Sequence, residues 1–70
     1  MSTIQTTVSG VIAKVHVQPG AHVAVGDVIV TVESMKMEIP VEAEDAGVID
    51  QMLVVEGQQV SEDQAVATWV

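Results

Sequence analysis

The sequence predicts an all-β domain, a two-sheet sandwich or flattened barrel with approximate two-fold symmetry. Three observations carry this: short valine-rich runs with period-two alternation, turn signals at short and even spacing between them, and an internal repeat relating one half of the chain to the other. Valine and isoleucine are stiff at χ1 and pack well on pleated surfaces, so a chain rich in them favours strands. Seventy residues make one domain, residues 1–70, near the lower limit for folding without a staple. The chain has no cysteine, so no disulfide supplies that staple.

The elements follow in order. Val15 and Val17 flank His16 with the alternation of a half-buried strand. Pro19-Gly20 suits the central positions of a type II turn, because proline presets φ and glycine accepts φ > 0. Asp27 to Glu33 alternates again, with Val28, Val30 and Val32 expected on one face and Ile29, Thr31 and Glu33 on the other. Met37, Ile39 and Val41 form another period-two set. Pro40 argues against a helix there and places its residue on an edge or irregular strand. Further turn signals stand at Ser9-Gly10, Gly26-Asp27, Ala46-Gly47 and Glu56-Gly57, and Trp69 reads as a core or sheet-end anchor.

Sliding the chain by 37 positions sets Gly10-Val11-Ile12 on Gly47-Val48-Ile49, Val17 on Val54, Gly20 on Gly57, Val23 on Val60 and Thr31 on Thr68. Each half is too small to bury a core alone, so the two must pack on one another. The join runs from Ser34 to Glu38, where a symmetric fold calls for a tight, outward hairpin.

Composition excludes several functions. The formal net charge is −8, with two basic residues, both lysines, against ten carboxylates. Nucleic-acid binding needs lysines and arginines for phosphates and aromatics for bases; this chain has no arginine and one aromatic residue. Such acidity reads as the solubility of a small valine-rich domain, with steering toward basic clefts as the functional alternative. The first residues lack a basic and an apolar signal region, and no apolar run is long enough for a spanning helix, so the expectation is a cytoplasmic domain off the membrane. His16 and His22 stand six positions apart without a third fixed ligand, which argues against a metal site. Glu44-Asp45 and Glu62-Asp63 read as solvated acidic turns, not a catalytic pair. With no nucleophile elbow and no phosphate loop, the chain reads as a non-enzyme.

That leaves the join. Taken alone, Lys36 is an ordinary solvated turn lysine, and Met35 and Met37 are covers for the end of the sandwich. Their central position between the halves turns the stretch Glu33-Ser34-Met35-Lys36-Met37-Glu38 into a candidate displayed attachment point. Lysine offers a long stem ending in an amine, and methionine is polarizable and adapts to several partner pockets.

The stretch Glu33-Ser34-Met35-Lys36-Met37 resembles the biotin attachment motif of biotin carboxyl carrier domains, usually Glu-Ala-Met-Lys-Met. The spacing of Gly10, Gly20, Gly26, Gly47 and Gly57, with the half-to-half repeat, resembles the wider biotinyl/lipoyl domain family over nearly the whole chain, which implies a domain core from about Val8 to Val70. The resemblance implies a flattened barrel of two four-stranded antiparallel sheets, with the modified lysine on a hairpin opposite the termini. It implies that a biotin-protein ligase joins biotin to Lys36. It also implies that the arm carries carboxybiotin from a biotin carboxylase to a carboxyltransferase of an acyl-CoA carboxylase, such as acetyl-CoA carboxylase, or of a related biotin-dependent enzyme. The cofactor supplies the reactive atom, and the protein supplies position and local concentration. Met35 and Met37 carry over as ligase and partner recognition residues, with Glu33, Ser34 and Glu38 beside them. The domain is expected to be monomeric. A lipoyl carrier moving acyl or aminomethyl groups is the alternative, although lipoyl domains usually read Asp-Lys-Ala at the hairpin. A dual biotin/lipoyl acceptor like the small stand-alone attachment proteins is a variant suggested by Ser34 in place of alanine. An unmodified assembly module on the same barrel is a third class.

Overall fold

A computed structural model describes residues 2–70. Eight strands follow one another: β1 Ser2–Gln5, β2 Gly10–Val15, β3 His22–Val23, β4 Val28–Ser34, β5 Met37–Glu42, β6 Gly47–Met52, β7 Gln59–Val60 and β8 Ala65–Trp69. They form two four-stranded sheets, in the orders β1-β8-β6-β3 and β5-β4-β2-β7, and every pairing is antiparallel. The core between the sheets is aliphatic. Ile12, Ile29, Ile49, Val30, Val32 and Val66 are its fully buried large side chains, with Trp69 packed partly against it.

The repeat in the sequence is a repeat in space. Adding 37 carries β2 (10–15) onto β6 (47–52) and β3 (22–23) onto β7 (59–60), and it brings β1 inside β5 and β4 over β8. The same operation turns the order β1-β8-β6-β3 into β5-β4-β2-β7, so it exchanges the two sheets. Each sheet takes two strands from each half. Neither half therefore contains a complete sheet, which is the structural form of the expectation that neither buries a core alone.

Two expectations change. The strict alternation from Val28 to Val32 fails at Ile29: both Ile29 and Val30 are buried. The register of β4 on β5 slips between Val28 and Val30, and a bulge there inserts one residue, so two successive side chains reach the core. Its symmetry counterpart lies between Ile4 and Gln5 in the β1–β8 pair. The core also starts before Val8, because β1 adds Ile4 to it and Thr6 is buried just beyond. The Thr6 hydroxyl donates to the Val8 carbonyl at 2.9 Å and accepts from the Val8 N–H at 3.3 Å, which satisfies a polar side chain in an apolar place.

Other expectations hold. Gly20 has φ 92°, and the Ala21 N–H donates to the Gln18 carbonyl at 3.0 Å, as a type II turn over Pro19-Gly20 requires. Pro40 lies on β5, an edge strand, where a residue with no N–H leaves no gap between two neighbours.

Candidate functional site

Strands β4 and β5 are consecutive, antiparallel and paired along their length, with Ser34 opposite Met37. Only Met35 and Lys36 join them, and both have positive φ, 52° and 65°. Two left-handed residues in a two-residue loop are the mark of a type I′ turn, whose twist matches that of the flanking strands. Such turns favour Asn-Gly, because a side chain with a Cβ costs about 1–2 kcal/mol per left-handed residue. Here the positions hold methionine and lysine. The absence of the usual turn residues explains why the sequence shows where the hairpin lies but not its type.

The strain is held by the base of the hairpin. β4 is a central strand, paired with β2 on one side and β5 on the other, and its Ile29, Val30 and Val32 are buried. From this base the turn projects into solvent. Met35 is 93 % exposed, Met37 is 64 % exposed, and Lys36 is exposed between them. An exposed amine on a fixed two-residue turn, clear of the core, has the room that a covalent attachment needs. Both methionines lie outside the core cluster, so they are not the core cover that their chemistry also allows.

Ser34 is half-buried at the end of β4. Glu33 and Glu38 are exposed and directly opposite one another across the strands. Like charges in that register cost folding roughly 0.2–1 kcal/mol. The spacing of these two carboxylates in the sequence does not announce the pairing; the register of the two-residue turn creates it. The hairpin thus brings together all six residues from Glu33 to Glu38.

The remaining chemistry-bearing residues lie elsewhere. Lys14 is on β2 opposite Thr31, away from any turn. His16 continues from β2, and its Nε2 lies 2.7 Å from the Thr31 hydroxyl, whereas His22 is on β3 in the other sheet. A groove of about 390 Å³ runs along β1, lined in part by Glu42, Glu44, Asp45, Asp63 and Trp69. It meets β5 at Glu42, the far end from Met37 and about 17 Å away by strand rise.

The comparisons with known proteins agree on the kind of domain. Residues 1–69 match a family model described as biotin-requiring enzyme, of the biotin/lipoyl type. A biotin/lipoyl attachment protein of Bacillus subtilis is 37 % identical over 60 residues, which are 86 % of this chain and 82 % of that protein. Among solved structures, urea carboxylase of Kluyveromyces lactis contains a region that superposes with a TM-score of 0.92 at 29 % identity; the match covers 99 % of this chain and 6 % of that enzyme. The lipoyl domain of the 2-oxoglutarate dehydrogenase complex of Azotobacter vinelandii superposes with a TM-score of 0.74 at 30 % identity, covering 90 % of this chain and 80 % of that domain. Domains of this kind carry biotin or lipoate as a covalent cofactor and leave catalysis to the enzymes they serve. The chain belongs to the biotin/lipoyl attachment domain family, and it is a carrier, not an enzyme.

Proposed function

We propose that Lys36 is the attachment residue and that the domain carries biotin there, as the carboxyl carrier of a biotin-dependent carboxylase. The observation that carries this reading is Lys36 itself: an exposed amine in a two-residue turn at the join of the halves, between two exposed methionines. The Met-Lys-Met sequence favours biotin over lipoate. The close superposition on a region of urea carboxylase supports a carboxylase setting.

In this reading the ε-amine forms an amide with the carboxyl group of the cofactor, installed by a biotin-protein ligase. When bound, biotin supplies a ureido nitrogen that accepts and releases a carboxyl group. The chain's own residues do the rest. The lysine stem and the cofactor's own chain give reach, and the stiff β4–β5 base fixes the point from which the arm swings. A tether of fixed origin raises the local concentration of cargo at a biotin carboxylase site and then at a carboxyltransferase site. Met35 and Met37 offer adaptable apolar contact to the ligase and to both partners. Glu33, Ser34 and Glu38 form the polar border of that contact. The domain works as a monomer within the larger assembly, and the acyl acceptor is chosen by the carboxyltransferase, with acetyl-CoA and other acyl-CoA substrates as the class.

A lipoyl carrier is the second reading. The similarity to the Azotobacter lipoyl domain and to a Bacillus protein named for both cofactors favours it. Expression beside a biotin-protein ligase, and separately beside a lipoate ligase, separates the two by intact mass and streptavidin capture. Biotin on the parent chain, none on Lys36→Arg and none on Lys14 is the expected outcome. Capture that survives Lys36→Arg would overturn the site, and lipoylation without biotinylation would overturn the choice of cofactor.

A further inference from the structure

The chain has no cysteine, so its sulfur is all thioether, in four methionines. The fold separates the three among the described residues sharply. Met35 and Met37 are exposed on either side of Lys36, while Met52, on β6, is half-buried against the core. Oxidation of a thioether needs access to the sulfur lone pair, and exposure sets its rate. The two most accessible methionines among the described residues therefore flank the amine.

We propose that Met35 and Met37 are an oxidation site that gates modification and docking at Lys36. The oxidant is a peroxide. The sulfur lone pair attacks one peroxide oxygen, the O–O bond breaks, an S–O bond forms, and the other oxygen leaves as water. Sulfur loses two electrons and the peroxide gains them; no group is lost from the protein. The product places a polar, chiral sulfoxide on each side of the lysine. A pocket that accepts a flexible apolar thioether must then desolvate a polar oxygen without a partner, which weakens the contact. The fold is indifferent, because neither side chain belongs to the core. Methionine sulfoxide reductases, one for each epimer, reverse the change, so the site is a switch and not only a lesion. The inference rests on the reading that Lys36 is the attachment lysine and that an enzyme pocket grips its neighbours.

The test uses the full, unmodified chain titrated with hydrogen peroxide. Peptide mapping is expected to show sulfoxide at Met35 and Met37 about tenfold faster than at Met52, with the circular-dichroism melt unchanged. The initial rate of attachment by the ligase that modifies the parent chain is expected to fall about tenfold, the factor for one poorly partnered polar group at a contact. Reductase treatment is expected to restore it. The rate for M35L/M37L, compared with that variant's own untreated rate, is expected to be insensitive to peroxide, while M52L remains sensitive. Equal oxidation of Met52, or an unchanged rate once Met35 and Met37 are fully oxidised, overturns the switch and leaves the attachment reading standing. Failure of both ligases to modify the untreated chain overturns the attachment reading, and the switch with it.

Discussion

Replacing Gly10 by alanine tests how firmly the hairpin is tied to the barrel. A Cβ built at Gly10 overlaps the carbonyl oxygen of Glu33 and comes within 2.8 Å of Val32 Cγ1 and 3.1 Å of the Glu33 carbonyl carbon. Carbon atoms prefer about 3.5–4.0 Å, so the side-chain contact alone is roughly 0.7 Å too short, and backbone must move. That backbone is the central strand β4, three residues before Lys36. Overpacking of this kind costs about 1–3 kcal/mol. A domain of this size has about 3.5–10 kcal/mol in total, and its melting temperature falls about 4–8 °C for each 1 kcal/mol lost. The fold also supplies a matched control. Gly47 is the counterpart of Gly10 under the shift of 37, and its Cβ would overlap the Trp69 ring and lie 2.7 Å from the Val70 carbonyl oxygen. Gly47→Ala therefore carries a comparable stability cost at a place remote from Lys36. Thermal melts by circular dichroism are expected to show both variants melting lower, by about 4–24 °C. Attachment at Lys36, measured well below both melts, is expected to slow only in Gly10→Ala. A melt like the parent's in Gly10→Ala would refute the close approach; equal slowing in both variants would refute the coupling of Gly10 to the hairpin.

Two further substitutions probe single contacts. Glu38→Gln removes the like-charge pair with Glu33 and is expected to raise the urea midpoint by the equivalent of about 0.2–1 kcal/mol at low salt, the gain shrinking as salt is added; an unchanged midpoint at low salt would count against the repulsion. Thr6→Val keeps the volume but removes both hydrogen bonds to Val8 and leaves part-buried backbone groups unpaired, so equilibrium urea unfolding is expected to show a loss of about 1–3 kcal/mol.

The parts of this fold that were legible in the sequence are those set by local chemistry or by the repeat. Pro19-Gly20 specifies its turn through the φ preferences of two residues, and the barrel realises that turn. Pro40 announces an edge because its missing N–H is a property of the residue itself. The recurrence of Gly-Val-Ile places the hairpin between the halves without any knowledge of pairing. What stayed hidden depends on partners distant in sequence. The bulge that buries both Ile29 and Val30 arises because β4 must match β5. The sequence does not mark β1, because Ser2-Thr3-Ile4-Gln5 carries one buried apolar residue, Ile4, and its strand exists through pairing with β8 at the other end of the chain. At the site, residue types marked Lys36 and its methionines, whereas the opposition of Glu33 and Glu38 needs the register of a turn whose usual residues are absent.

The symmetry also bears on why one lysine position suits display. Under the shift of 37, the pairing of Val32 with Ile39 corresponds to that of Trp69 with Ser2, so the β8–β1 pair is the counterpart of β4–β5. At one of these places the two strands are the first and last of the barrel, and no turn joins them. At the other, two residues must cross between halves in left-handed conformation. That crossing is costly, and it is stable only because buried pairing on both sides of β4 holds the strands in register. A longer loop would relieve the cost but would let the amine wander relative to the barrel. The short crossing confines motion to the lysine side chain, so an arm attached at Lys36, as proposed, would have a fixed origin. The strain at Met35 and Lys36 and the exposure of the amine are therefore two consequences of one constraint, the joining of two interlocked halves by the shortest turn that fits.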